Sequence, residues 1–253
     1  MIGAGNVATH LSRNFYSKGH NIVAIAARSK NSADKLARQV KAEPISSIRE
    51  MPTDLDIVII STTDSAISEV VKEIPDIKGI IAHTSGSISL DTIKDFKPRA
   101  AVLYPLQTFS KGTDVDISKV PFFLEASDET TLKTLKNIAQ ELSEHIYEAD
   151  STLRSRLHVA GVLSSNFPIY LLEMARKVLA EENLPLSLIK PLVEASIDKA
   201  FMSSPLEALT GPAKRGDTDI VKRQSESFSN SNYKDIYDSI SKAILEEFKS
   251  KTS

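Results

Sequence analysis

Short runs of apolar, often β-branched residues alternate with stretches of helical periodicity over the first 150 residues. Such runs, bounded by polar or glycine-containing segments, are typical of buried strands in parallel sheets. The pattern predicts strands at 21–27, 56–61, 79–83, 100–104, 121–125 and 145–147, and helices after residue 5, at 65–74 and at 128–142. Because strands and helices alternate, we expect an α/β fold with a doubly wound parallel sheet.

From residue 150 onward every segment has helical periodicity. We expect helices at about 151–181, 186–202, 219–227 and 232–248, with a loop in the Ser/Asn-rich stretch 225–232. The change of pattern predicts two domains, an α/β domain at 1–149 and an all-helical domain at 150–253.

The turn before the first helix, residues 3–8, reads Gly-Ala-Gly-Asn-Val-Ala. In a dinucleotide-binding turn the first glycine, here Gly3, allows a tight bend, and the second, Gly5, lets the backbone approach a pyrophosphate. The helix that begins at Asn6 and Val7 offers free N–H groups to phosphate. Because a helix and a strand follow, the turn predicts a Rossmann domain that binds NAD(P). A purely structural glycine turn is the alternative.

Only Met1 and Ile2 precede this turn. The first strand of such a domain is central in the sheet and is normally a longer apolar run. We therefore expect that the natural chain begins upstream or that its N-terminus has been trimmed.

The residues after the second strand, Arg28, Ser29 and Lys30, indicate which coenzyme would bind. NAD sites usually carry an acidic residue there for the ribose hydroxyls, whereas a guanidinium and a hydroxyl suit a 2′-phosphate. We predict NADP, with NAD as second choice and a solvated basic loop as the alternative. Thr62 and Thr63, after the strand at 56–61, are expected to bind the same coenzyme unless their segment only caps the next helix.

The 253 residues carry a formal net charge of -2 and no cysteine. This charge gives no indication of a nucleic-acid or membrane partner, and the lack of cysteine excludes disulfides and thiol catalysis. No stretch approaches the roughly 20 apolar residues of a membrane span, and the five histidines lack a metal-binding spacing. We therefore expect a cytoplasmic protein without a metal.

Two strand ends carry candidate substrate-binding groups. His83 and Ser85 follow one strand and Gln107 follows another, at the edge of the sheet where open α/β domains bind ligands. The alternatives are an internally bonded Ser/Gly turn for the first loop and a simple connection between domains for the second.

The helical half adds further candidates. His158 and Asn166 lie about 12 Å apart along the helix at 151–181, and Pro168 is expected to disturb that helix beside them. Arg215 belongs to a basic loop at 209–217 that could bind a carboxylate. A satisfied core histidine and a solvated cation are the respective alternatives.

Five motifs together carry a family resemblance: residues 3–11, 83–86, 105–109, the helix with His158 and Asn166, and 208–217. The chain resembles Rossmann-like proteins with a C-terminal domain of unknown function, labelled as NADP-dependent oxidoreductases or as their deazaflavin-coenzyme-dependent type. The resemblance implies a helical domain like that of 6-phosphogluconate dehydrogenase, which usually builds a homodimer. Hydroxyacid dehydrogenases related to this family carry a catalytic lysine four residues before the helix asparagine, where this chain has Val162.

These observations predict an NADP-dependent oxidoreductase that transfers a hydride to or from a small, carboxylate-bearing substrate in an interdomain cleft. We expect His158 to donate or accept the proton, because an imidazole titrates near neutrality. Asn166 and Ser85 would orient the substrate at the catalytic centre, with Gln107 binding it and Arg215 pairing with its carboxylate. The alternatives are a dinucleotide-binding sensor or assembly protein without turnover, or a purely structural dimer scaffold.

Overall fold

Strands and helices alternate over the first part of the computed structural model, which describes residues 1–249. The strands are β1 (Ala24–Ala26), β2 (Glu43–Ile45), β3 (Ile57–Ile60), β4 (Ile80–His83), β5 (Ala100–Pro105), β6 (Phe122–Ala126) and β7 (Ile146–Glu148). The helices between and after them are α1 (Asn6–Ser17), α2 (Lys30–Val40), α3 (Ile67–Glu73), α4 (Asp91–Lys94), α5 (Glu129–Gln140) and α6 (Ser151–Gly161). Every predicted strand is present, and β2 is an additional one.

Residues 1–3 lie at the centre of the sheet, between β1 and β3. Ile2 pairs in parallel with Ala26 of β1 on one side and with Ile60 of β3 on the other, and the N–H of Gly3 donates to the carbonyl of Ala26 at 2.7 Å. The β1–β2 pair is thereby joined to the run β3-β4-β5-β6-β7. The pairs are parallel except that of β5 with β6, so the predicted parallel sheet is confirmed with its last two strands reversed.

Helices cover both faces of this sheet because successive strand residues point to opposite sides. On one face Ile60 belongs to an apolar cluster with Ile67 of α3. On the other face Ile59 belongs to a cluster with Leu11 of α1 and Leu135 of α5. The first part of the chain is therefore doubly wound, as the sequence predicted.

The helix predicted at 151–181 is interrupted. After α6 comes a π-helical turn, Val162–Asn166, followed by α7 (Phe167–Glu181). Pro168 has no N–H to donate to the preceding turn, and the Ser164 hydroxyl donates to the Ala160 carbonyl at 2.8 Å. The expected disturbance beside Pro168 thus takes the form of a widened turn.

The described residues divide into two compact units, Met1–Asn166 and a second that begins at Phe167. The first unit includes α6, which the sequence analysis assigned to the helical domain, and the boundary at 149/150 stays a prediction. The second unit contains α7, α8 (Lys190–Met202), α9 (Pro205–Ala208), α10 (Pro212–Arg215), α11 (Thr218–Glu226) and α12 (Ser231–Lys249). None of the helices within residues 1–249 has the length and apolar content needed to cross a bilayer.

Candidate functional site

A cavity of about 1190 Å³ lies in the first unit along the carboxyl ends of its strands. It exceeds the roughly 300–1,000 Å³ of typical small-molecule pockets, so it has room for a ligand of dinucleotide size. Most of its lining comes from the segments that directly follow strands, at residues 2–7, 26–29, 46–48, 61–64, 84–86, 104–105 and 107. This is the edge of the sheet at which open α/β domains bind ligands.

The glycine turn brings the start of α1 to this cavity. Gly3 has a φ of +117°, and a Cβ there would lie 2.1 Å from the carbonyl oxygen of Ser61, so only glycine fits. Gly5 precedes α1 as its N-cap residue, and a Cβ on Gly5 would meet no atom within 4 Å. The first N–H groups of a helix have no partner inside it. Gly5, Asn6 and Val7 all line the cavity, which places these donors at its wall.

Asn6 has a second role through its side chain. Its Nδ2 donates to the carbonyl oxygen of Phe109 at 2.8 Å, and the ring nitrogen Nε2 of His10 lies 2.9 Å from the carbonyl oxygen of Ser110. These two contacts hold the loop after β5 against α1. Lys111, in the same loop, lines the cavity and was not predicted from the sequence.

The predicted coenzyme residues beyond the turn also line the cavity. Arg28 is exposed there, and the neighbouring Ser29 begins α2 by accepting a hydrogen bond from the N–H of Ser32 at 3.3 Å. Thr62 and Thr63, after β3, contribute to the same wall. The structure therefore brings together all the residues that the sequence analysis assigned to the coenzyme.

Tyr104 and His158 form a hydrogen-bonded pair in the wall of this cavity. The Tyr104 hydroxyl lies 3.1 Å from Nδ1 of His158, and the Tyr104 side chain is 7% exposed. Burial raises the pKa of Tyr104, the Arg154 charge opposes this and Asp64 adds to it. Gly86 passes directly over the pair, since a Cβ on Gly86 would lie 2.7 Å from Cζ of Tyr104 and 2.8 Å from Nδ1 of His158.

Ser85 and His83 support the loop that carries Gly86. The Ser85 hydroxyl lines the cavity and accepts hydrogen bonds from the N–H groups of Ser87 and Ile88, each at 3.1 Å. His83 is 0% exposed and is not among the lining residues, so its imidazole has no surface from which to touch a ligand. Instead its Nδ1 accepts from the N–H of Ser85 at 3.2 Å.

The protonation of His83 follows from this position. Burial, with a smaller contribution from Arg154, lowers its pKa from 6.5 to about 4. Its Nε2 has no hydrogen-bond partner among the described residues. His83 is thus a neutral, buried support of the loop, in place of the substrate contact expected from the sequence.

Arg154 of α6 also fixes the loop that carries Gly86. Its guanidinium is 0% exposed, forms an ion pair with Glu125 of β6, and donates to the carbonyl oxygens of Ser85 and Ile88. A buried charge of this kind is tolerated only when it is fully paired. Arg154 was not predicted from the sequence because an arginine in a helical pattern normally faces solvent.

The remaining predicted residues are dispersed. Gln107 lines the cavity, with its Oε1 accepting the N–H of Thr108 at 2.7 Å. Asn166 ends the π-helical turn and is exposed, but it is not among the lining residues. Arg215 belongs to the second unit and pairs with Asp217 at 3.0 Å. Within residues 1–249 no group of three or more His, Asp or Glu side chains is placed to hold a metal ion.

Two family models match the chain: the Rossmann-like domain over residues 1–107, and the Domain of unknown function (DUF2520) over residues 120–244. A solved structure described as a putative NADP oxidoreductase from Bacteroides fragilis is 35% identical, covers 97% of this chain and 96% of its own, and has a TM-score of 0.92. Protein TM1727 from Thermotoga maritima is 25% identical, with coverages of 100% and 98% and a TM-score of 0.71.

An imine reductase from Myxococcus stipitatus, solved in complex with NADP+, has a TM-score of 0.66 over 98% of this chain and 92% of its own. At 14% identity, it shows a likeness of fold alone. None of the curated protein sequences compared with the chain matches it.

Proposed function

The chain belongs to the family that joins a Rossmann-like domain to the DUF2520 domain, and on that premise we propose that it is an NADP-dependent oxidoreductase. The observation that carries the proposal is the start of α1, whose first N–H groups face the cavity behind Gly5. Helix N-termini of this kind bind phosphate through their donors and their partial positive charge. The similar structure from Bacteroides fragilis, described as a putative NADP oxidoreductase, supports the same assignment.

The coenzyme would lie along the cavity in one direction. Its pyrophosphate would meet the backbone of Gly5, Asn6 and Val7, and its 2′-phosphate would meet Arg28 with the hydroxyl of Ser29. Its nicotinamide ring would reach the end of the cavity lined by Gly86 and Tyr104. Arg28 supports NADP over NAD because a guanidinium binds phosphate oxygens bidentately.

The substrate would be small and would carry a carboxylate. Ser85 and Gln107 line the same cavity as Tyr104 and His158, and Lys111 adds a cation to its lining. The bound coenzyme supplies or accepts the hydride, and these side chains orient the substrate and move its proton. Roles for Asn166 and Arg215, and a deazaflavin as the redox partner, stay predictions.

We further propose that two copies associate through the second unit. Its α7 and α8 expose many large apolar side chains, with Phe201 89% and Met202 87% exposed. Helices that expose this many large apolar side chains are candidates for an interface, and a two-fold dimer is the commonest way to cover one. Leu192 and Ile197, on the same helix, are also exposed.

Calorimetric titration with NADPH and NADH tests the coenzyme assignment. The Arg28→Ala variant is expected to bind NADPH about ten- to hundredfold more weakly, because a charge-assisted hydrogen bond is worth roughly 1.5–3 kcal/mol. Its affinity for NADH should not change. Lys30→Ala, which removes a neighbouring exposed cation that does not line the cavity, is the matched control.

Gly5→Ala tests the site of the pyrophosphate. Its Cβ meets open space in the protein, so the variant should unfold at the wild-type temperature, yet it should bind neither coenzyme tightly. Absence of heat with both coenzymes in the wild-type chain would end the proposal. Tight binding without NADPH oxidation over a panel of small 2-oxo acids and imines would instead favour a sensor or assembly protein.

A further inference from the structure

We propose that the hydroxyl of Tyr104 is the acid that protonates the substrate, and that His158 is the positioning residue that returns the proton to it. This inference rests on the proposed oxidoreductase function and names a catalytic residue for it. It changes the expectation from the sequence, in which His158 alone handled the proton.

The geometry places the tyrosine between substrate and imidazole. Tyr104 lies near the end of β5 and lines the cavity, and its hydroxyl is 3.1 Å from Nδ1 of His158. That ring nitrogen is therefore occupied by Tyr104 and does not itself meet a ligand. A proton leaving Tyr104 can be replaced from His158 across a single hydrogen bond.

The loop around Gly86 packs closely against Tyr104 and His158. Gly86 crosses so close to both rings that a Cβ would collide with Tyr104 and His158. The buried Arg154 fixes the loop by donating to the carbonyl oxygen of Ser85 at 3.2 Å. The α6 helix that carries Arg154 also carries His158, so one rigid element sets both the loop and the imidazole.

The chemistry balances without any further reactant. When a substrate carbonyl is reduced, its C=O π bond breaks, the carbon takes the hydride from the reduced coenzyme, and the oxygen takes the proton of the Tyr104 hydroxyl. The tyrosinate then takes the Nδ1 proton of the His158 imidazolium. His158 recovers its proton from water, the substrate has gained two electrons and two hydrogens, and the coenzyme is oxidised.

The charges around Tyr104 bear on its role as an acid. Burial raises its pKa, so the hydroxyl is protonated at neutral pH but gives up its proton less readily than an exposed phenol. Three ionisable groups act on it: His158 through the hydrogen bond, Arg154 from beneath the loop, and Asp64 from the segment after β3. Arg154 and an imidazolium at His158 both favour the transient tyrosinate, while Asp64 opposes it.

A first test needs no substrate. The ultraviolet absorbance of tyrosinate is followed against pH in the wild-type chain, in Tyr104→Phe and in Tyr147→Phe, each alone and with saturating NADP+. Tyr147 is the matched control because it is 49% exposed and lies outside the cavity lining. The fixed positive charge of the oxidised ring should lower the pKa of one tyrosine by about 1 or more, in the wild type and Tyr147→Phe but not in Tyr104→Phe.

The same shift in Tyr104→Phe, or none in a wild-type chain that binds NADP+, would overturn the inference and leave the coenzyme site intact. A wild-type chain that does not bind NADP+ would overturn the proposed function itself. The two failures are therefore distinguishable.

A second test uses NADPH with glyoxylate, pyruvate and 2-oxobutyrate. Tyr104→Phe should lower kcat by about 10²–10⁴-fold with KM little changed, the usual effect of losing a general acid. His158→Gln should lower kcat less than Tyr104→Phe does, and it should change the dependence of kcat on pH because the group that returns the proton is gone. Wild-type turnover in Tyr104→Phe would refute the acid role. An unchanged pH profile in His158→Gln would refute the relay, and wild-type inactivity would count against the function.

Discussion

Acid should destabilise the first unit in part through His83, and the size of that contribution follows from the burial of its imidazole. The pKa of His83 is about 4 in the folded chain, against 6.5 for an exposed imidazole. Between these two pH values the His83 imidazole is protonated in the unfolded chain but neutral in the folded chain. The free energy of unfolding therefore falls as pH falls. The full stabilisation is present above pH 6.5, and about 3 kcal/mol of it is lost by pH 4.

Other groups titrate in the same range, so the measurement compares the wild type with His83→Asn. An asparagine can accept the N–H of Ser85 in place of Nδ1 but binds no proton. Urea unfolding above pH 6.5 and near pH 4 should show the wild type losing about 3 kcal/mol more than the variant. Equal losses in the two chains would show that His83 is hydrated or charged in the folded state, and the structural account of the loop would be wrong.

Three further predictions follow from close contacts and exposed surface. Gly3→Ala should cost about 2–5 kcal/mol in thermal unfolding, from its positive φ and the clash with Ser61; wild-type stability would show that the turn can relax. Arg154→Met should cost about 3–5 kcal/mol by leaving Glu125 unpaired, and should raise the pKa of His83 measured by NMR; an unchanged pKa would contradict the Arg154 contribution. Phe201→Glu should convert a dimer to monomer in sedimentation velocity; a wild-type chain that sediments as a monomer would remove the dimer proposal.

Much of the fold could be predicted because the strands of a covered parallel sheet are short apolar runs. β3 and β4 have this composition, and their bounds differ from the predicted ones by a residue or so. β2 was not predicted because its three residues include an exposed Glu43 and Pro44, and Ile45 alone is apolar and buried. The reversed direction of β6 and β7 could not be predicted from the sequence, because a strand has the same apolar pattern in either direction.

The coenzyme end of the site could be predicted because its chemistry is local in the chain. Gly3 and Gly5 are two residues apart, and Arg28 follows the next strand directly. The chemistry of such a turn depends on backbone shape and N–H donors, which neighbouring residues determine. A pattern of this kind can be read without knowing any tertiary contact.

The part of the site around Tyr104 and His158 could not be predicted in the same way, because its residues are distant in the chain. Tyr104 reads as the last apolar residue of a strand and Arg154 as a solvated residue of a helix. Their roles arise only when β5, β6 and α6 pack together, which brings Tyr104 to His158 and Arg154 to Glu125. No local signal in the sequence distinguishes these residues from ordinary ones.

Val162 bears on which residue can supply the proton in this chain. The resemblance noted from the sequence implies a catalytic lysine at this helix position in hydroxyacid dehydrogenases, and this chain carries an apolar residue there. A reductase of a carbonyl still needs a proton source near the hydride acceptor. Tyr104 lies in the cavity wall on the strand, and α6 contributes His158 as its hydrogen-bond partner. In the mechanism proposed above, Tyr104 on the sheet therefore supplies the proton that a lysine on the helix would otherwise supply.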